Sequence, residues 1–364
     1  MRIARYPVFA FIGLMTSTAF AGALTPGDIL LYQVGDGTSS STSSSAAAAV
    51  FLDEYTTSGV LVQQIAVPTS SIAGGNQALT DSASAGSDGL LTLSPNGQYI
   101  TFGGYDAAVG TSSVVNSGVN RSIGIVGANG VVNTSTAANI DSGNNIRSVV
   151  TTNGTQLWTA GAGGGVYSLT AGSSNATATQ LNSGSSRQVT VFNNQLYVDT
   201  SSSIYSLGSG LPTSGTPTAT LLPGVSTSGS PTGFLFESLN AADHGAADTL
   251  YVADSSNGIV KYSLENGTWI KTGSVSGSFN DLTAQVVNGT VDLFAIASNS
   301  KLVSLTDASG FAGTLNTSAT TLVTANSHEV FDGVAFAPVP LPAALPLLLS
   351  GLGGLGFIRR RRAA

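Results

Sequence analysis

One pattern recurs along most of this chain: a short apolar run, a turn, a second run, another turn, a third run. It is seen in "GLLTLSPNGQYITFGGYDA" (89–107) continuing into "RSIGIVGANGVVNTSTA" (121–137). It returns in "RSVVTTNGTQLWTAGAGGGVYSLTAG" (147–172) and "RQVTVFNNQLYVDTSSSIYSLGSG" (187–210), and again within 232–273 and 280–310. Between Thr249 and Gly273 the runs are separated by Ser-Asn-Gly and Glu-Asn-Gly. These are hairpin signals between strands, because Asn and Gly tolerate the left-handed backbone that a tight turn between twisted strands requires. Helical periodicity is missing between residues 22 and 338, apart from an alanine patch at 46–49. Strand units spaced by about 40 to 50 residues, each unable to bury its faces alone, are the signature of propeller blades.

Counting the units tests whether the ring can close. Five are complete. Near the beginning, "GDILLYQVGDG", "AAVFLDEYT" and "GVLVQQIAVP" offer three strands without an innermost partner, and "HEVFDGVAFAP" (328–338) offers one strand alone. Three and one make a sixth blade, which closes the ring with strands from both ends and removes its open edges. The expected fold is all-β, a six-bladed propeller; seven blades, a sandwich or a β-helix are the competing arrangements of the same strands. Two Ser/Thr/Gly/Pro-rich stretches, 37–49 and 211–231, break the regularity and read as loops or linkers, the first without a packed core.

The ends have a different composition. Arg2 and Arg5 precede an apolar run to about Ala19, and Ala19-Phe20-Ala21 is a small-x-small cleavage pattern. Residues 1–21 therefore read as a secretory signal peptide with Gly22 as the first mature residue. At the other end, Leu341 to Ile358 carries no charge and is followed by Arg359, Arg360, Arg361 and Arg362. That is long enough to span a hydrocarbon core, with the arginines holding the C-terminal side in the cytoplasm. Two of the 12 Lys and Arg belong to the first segment and four to the last, leaving six against 19 Asp and Glu between them, a formal charge of −13 for the body. Such a field disfavours nucleic acid and anionic lipid as partners and tolerates a salty exterior. The absence of cysteine excludes disulfides, thiolate metal sites and a cysteine nucleophile.

The tail carries a resemblance. Val339-Pro340-Leu341-Pro342-Ala343, the apolar stretch and the terminal arginine cluster resemble the VPLPA variant of the PEP-CTERM sorting signal, without the Pro-Glu-Pro of the founding pattern. The resemblance covers residues 339–364. It implies recognition by an exosortase, a membrane-embedded cysteine protease or transpeptidase of Gram-negative bacteria that make exopolysaccharide. It also implies transient anchoring in the inner membrane, removal of the tail near Val339-Pro340, and delivery of the 22–338 domain to the cell surface or beyond. The parallel is a GPI signal, whose hydrophobic tail is temporary.

Within the body, a propeller works where its innermost strands converge on one mouth of the central channel. Polar residues at the starts of those strands are Arg147, Arg187, Glu237, Asn280, Asp281 and Asp332, with His328 and Glu329 just before the last. Arg147 and Arg187 occupy matching positions in neighbouring units, so together they could hold a carboxylate or sulfate in bidentate fashion. The competing expectation is an inter-blade salt bridge to Asp281 or Asp332. The metal content is unknown from sequence: "DSGNN" (141–145), "NAADHGAAD" (240–248) and "ADSSNG" (253–258) are rich enough in oxygen for Ca²⁺, and equally suited to plain turns. No H-E-x-x-H or G-x-S-x-G motif is present, and no catalytic residue is assigned. Trp158 and Trp269 are expected in the core rather than stacked on sugar. Three readings result: a non-catalytic exported surface or matrix protein associated with exopolysaccharide or biofilm, a calcium-dependent lactonase- or esterase-like propeller hydrolase, and a cation-binding or adhesive module using its strong negative field.

Overall fold

A computed structural model describes residues 22–38, 45–225, 230–240, 242 and 245–340. The chain begins with β1 (Ile29–Val34), followed by β2 (Ala47–Ala48), β3 (Val50–Tyr55), β4 (Leu61–Ala66) and β5 (Asp81–Ser82). Five consecutive four-stranded blades follow. The first holds β6 (Thr92–Leu93), β7 (Tyr99–Tyr105), β8 (Arg121–Gly127) and β9 (Val132–Ala138). The second holds β10 (Ile146–Thr151), β11 (Gln156–Gly161), β12 (Gly165–Thr170) and β13 (Ala178–Asn182). The third holds β14 (Val189–Phe192), β15 (Gln195–Asp199), β16 (Ile204–Leu207) and β17 (Ala219–Leu221). The fourth runs through β18 (Pro231–Glu237), β19 (Thr249–Asp254), β20 (Gly258–Glu265) and β21 (Thr268–Val275). The fifth runs through β22 (Phe279–Val287), β23 (Thr290–Ala297), β24 (Lys301–Asp307) and β25 (Thr320–Thr324).

β26 (Val330–Phe336) returns to pair with β1, giving a sixth sheet in the order β26-β1-β3-β4. Ile29 lies opposite Phe336 and Val34 opposite Val330. The molecule is a six-bladed propeller, and its sixth blade takes three strands from one end of the chain and one from the other.

Hairpin chemistry explains why the strands fold back where they do. Asn193-Asn194, Asn266-Gly267 and Asn288-Gly289 all have positive φ at both positions. This is the two-residue turn whose twist matches the strands it joins.

The core is divided into six apolar wedges, each between two adjacent blades. Ile29, Leu31 and Tyr55 of the sixth blade meet Phe294, Ile296 and Leu302 of the fifth. Leu30, Val50 and Leu52 pack on Ile100, Phe102 and Val126 of the first. The remaining four wedges fill the other interfaces in turn. No blade has a core of its own, so each depends on both neighbours.

Both insertions are more structured than their composition indicates. Ala47 and Ala48 are buried, in β2, which pairs with Asp81 and Ser82 of β5. The second insertion supplies β17, the outer strand of the third blade, and buries Val225. Ser and Thr suit an exposed edge strand as well as a loop, and composition does not separate the two. Among the described residues the helical structure is 3-10, at Val114–Asn116 and at residue 242, and no helix is long and apolar enough to cross a membrane. The expected span 341–358 lies outside the described residues.

Candidate functional site

The six innermost strands all run away from the same mouth of the channel, and four of them begin with a β-bulge at the equivalent place. Ile146 pairs with Gly161 and Ser148 with Ala160, leaving Arg147 as the extra residue. In the same way Thr232 is left over in β18, Asn280 in β22 and Asp332 in β26. In the third blade, Arg187 N–H donates to the Asp199 carbonyl while the Gln188 carbonyl accepts from Asp199 N–H, so two residues again face one. A bulge bends the strand and re-aims the side chain of the extra residue. Here that places Arg147, Arg187, Thr232, Asn280 and Asp332 around one rim.

The position after the bulge staples neighbouring blades together. Ser148 Oγ donates to Arg187 O at 2.9 Å and accepts from Val189 N at 2.8 Å. Gln188 Oε1 accepts from Phe234 N. Asp281 Oδ2 accepts from Val334 N at 2.9 Å and Leu91 N at 3.2 Å, and its Oδ1 from Leu282 N at 2.9 Å. In the fourth blade the bulged Thr232 does this itself, donating to Phe279 O at 2.9 Å. At Gly333 a Cβ would fall 2.2 Å from Gly89 O, so the sixth and first blades approach through bare backbone.

A turn over 82–88 crosses this mouth. Its Gly86 carbonyl accepts from Asn280 Nδ2 at 3.0 Å and Asn299 Nδ2 at 3.1 Å, and Asp88 Oδ2 accepts from Tyr105 Oη at 2.6 Å and Asn145 Nδ2 at 2.9 Å. Burial pushes the carboxyl of Asp88 up to about 7 against those donors. It pushes Asp199 up to about 7 and Asp281 up to about 8. Asp81, which accepts from Tyr32 Oη at 2.8 Å, and Asp332 are raised well above the usual carboxylate range by burial and by the Asp88 charge. Asp88 Oδ1, Asp199 Oδ2, Asn280 Oδ1 and Asp332 Oδ2 are buried without a hydrogen-bond partner.

The rim therefore carries guanidinium groups on the second and third blades, with the Asp199 carboxyl beside them on the third, and amides and protonatable carboxyls on the fifth, sixth and first. The expected salt bridges from Arg147 and Arg187 to Asp281 or Asp332 are not what the structure shows. The ion pair found among the described residues is Lys261–Asp307, at 2.9 Å. Asp281 is occupied by three backbone N–H groups and Asp332 Oδ1 by Asn299 Nδ2. Arg147 instead donates through Nη1 to Ser185 Oγ at 2.9 Å and Ser186 O at 3.0 Å; burial lowers its pKa against the Asp88 charge, and the nearby Arg187 charge adds to the lowering.

Glu237 does not join this group. It is the last residue of β18, at the opposite mouth, where a cavity of about 310 Å³ is lined by Leu93, Pro95, Phe192, Leu235, Glu237 and Thr283. Burial, with Asp248 nearby, lifts its carboxyl to about 7. Sequence reasoning treated the position as a strand start because the Ser/Thr-rich stretch before it hides where β18 begins.

The described residues of the oxygen-rich stretches take part in turns. Asp141 Oδ1 accepts from Gly163 and Gly164 N, Asp254 Oδ1 from Ser230, Ser256 and Asn257 N, and Asp248 from Leu239 and Asn240 N. Among the described residues, no three His, Asp or Glu side chains are grouped to hold a metal ion. Trp158 and Trp269 are buried; the indole of Trp158 donates to Pro212 O at 2.7 Å, and that of Trp269 lies 5.8 Å from Phe236, centroid to centroid.

Of the sorting motif, Val339 and Pro340 are described. Val339 N donates to Gly97 O at 2.7 Å, and both residues line a groove of about 520 Å³ beside the first blade. Leu341, Pro342, Ala343 and Arg359 to Arg362 lie outside the described residues, as do Ala19 and Ala21. Gly22 is exposed, and its N–H donates to Gln63 Oε1 at 2.9 Å. No protein-family model matches the chain, and neither does any curated protein.

Proposed function

We propose that this is an exported, non-catalytic propeller of the cell surface or extracellular matrix, carried out by its signal peptide, held briefly in the inner membrane by an apolar C-terminal helix, and processed at its tail by an exosortase. The observation that supports this reading best is that the ring is complete without the tail. All six blades are formed by Phe336, and Ala337 N bonds back to Asp28 O. The ring thus closes before residue 339, which suits a detachable address. Association with exopolysaccharide or biofilm follows from the kind of cell in which such tails are sorted.

The hydrolase reading needs Asn280, Asp281 and Asp332 to converge on a calcium ion. Asp281 has both oxygens engaged by backbone N–H groups, and among the described residues no three His, Asp or Glu side chains are grouped to hold a metal ion. The residues do not fit the ion, and no step is derived through it.

Deleting residues 339–364 and fractionating the cells tests the sorting. The expected result is loss of surface display, with the body accumulating in the periplasm or medium. Unchanged display of the truncated protein would refute the proposal.

A further inference from the structure

We propose that the Arg147 and Arg187 arc of the channel mouth binds the carboxylate or sulfate groups of an acidic polysaccharide. The two guanidinium groups belong to matching bulged positions of neighbouring blades, which are joined there by Ser148 Oγ donating to Arg187 O at 2.9 Å. In a body of net charge −13, two adjacent cations without a carboxylate in contact stand out. Of the four other basic side chains of the body, Lys261 is paired with Asp307, the Arg121 guanidinium is enclosed by the carbonyls of Val115, Val119, Asp141 and Asn144, and Lys271 and Lys301 stand singly on exposed strand positions of the fourth and fifth blades. Of the acids near the arc, Asp281 is engaged by three N–H groups, while Asp88 and Asp199 each keep one oxygen unpartnered and act on Arg147 through their field without an ion-pair contact; burial lifts both of these carboxyls to about 7.

The arginine on the second blade is also preset. Its Nη1 is fixed by Ser185 and Ser186, while Nε is buried and has no acceptor. An oxyanion seated between the two guanidinium groups would satisfy that donor, in the geometry that planar forks favour for carboxylate and sulfate. Around it, Ser185, Asn145 and Asn280 offer partners for sugar hydroxyls. The strong negative field of the whole body acts against densely charged phosphate polymers and favours a chain whose charges are spaced by neutral sugar atoms.

Topology aims this mouth outward. Ile29 begins β1 beside Phe336, which ends β26, and Val339 is held at Gly97, so both ends of the body leave from the mouth opposite Arg147 and Arg187. A body tethered through its tail would present the arginines away from the membrane. This last step, and the choice of an extracellular ligand, rest on the export proposed above.

The test uses the full chain in mild detergent, with binding to polygalacturonate, dextran sulfate and uncharged dextran measured by affinity electrophoresis. Binding to at least one anionic polymer but not to dextran is expected. Arg187→Gln, at a half-exposed position whose side chain has no structural hydrogen bond, should weaken it about tenfold while leaving the melting temperature unchanged. Arg147→Gln should weaken it as well, and Arg187→Lys should retain part of it. No binding of either anionic polymer, equal binding of dextran, or full affinity in both glutamine variants would overturn the inference. If Arg187→Gln melts early, the lysine variant decides, because recovery of affinity with charge supports the site and failure to recover refutes it. Arginine-dependent binding by a protein found only inside the cell would sink the surface reading alone. Surface display without arginine-dependent binding would sink this one alone.

Discussion

Asp281 holds three blades with one side chain. It lies in β22 of the fifth blade, is fully buried, and accepts N–H groups from the first blade at Leu91 and the sixth at Val334. Buried backbone donors left without acceptors cost about 1–3 kcal/mol each. Asp281→Ala should therefore destabilise the protein by about 2–5 kcal/mol, read as a lower urea midpoint at unchanged slope. Asp281→Asn keeps an acceptor oxygen and should lose less. A midpoint for the alanine variant equal to that of the parent would contradict the role given to this carboxyl. From sequence, Asp281 stands out only as a polar residue at the head of an apolar strand. The same signal marks Arg147, Arg187, Asn280 and Asp332, which do share the rim, and Glu237, which does not.

The strands differ in how plainly they can be read. Inner and middle strands such as ILLYQV and TLYVAD are buried on both faces, so their residues must be apolar and their runs are conspicuous. Outer strands such as ATL and TTLVT are largely exposed and contact a neighbour on one edge only, so Ser and Thr suffice and the pattern fades into loop composition. This is why three strands per unit are legible and the fourth is not.

Ring closure is a property of β26. Removing it strips Phe331, Val334 and Phe336 from the wedge against the fifth blade and leaves β1 with an unpaired edge. A chain ending at Ser327 should lose cooperative thermal unfolding, whereas one ending at Pro338 should melt within about 2 °C of the full chain. Circular dichroism melts distinguish these outcomes, and equal melting of both shortened chains would show that the sixth blade does not need its inner strand.

For the molecule as a whole, the buried carboxyls couple stability to pH. Asp88 and Asp199 are lifted from 3.8 to about 7, and Asp281 to about 8. The folded state therefore retains protons that the unfolded chain releases. Their stabilising contribution is complete below about pH 4 and is lost as pH rises through 7 to 8. The melting temperature should fall by on the order of 5 °C or more between pH 5 and pH 8.5. A flat or rising curve in scanning calorimetry would mean that these carboxyls are ionised in the folded protein.

Repetition, turn dipeptides and the three-plus-one strand count are local properties, set by backbone preference and by which faces must be apolar. They were enough to determine three strands of each unit, the six blades and the closure by both ends from the amino-acid order alone. Which side chains meet at the mouth was decided by the bulges, each a register shift between strands that sequence spacing does not record. The partners of Asp281 were decided by contacts between blades up to 190 residues apart in the chain. Such contacts exist only when the ring is closed, because each wedge of core needs both of its blades in place.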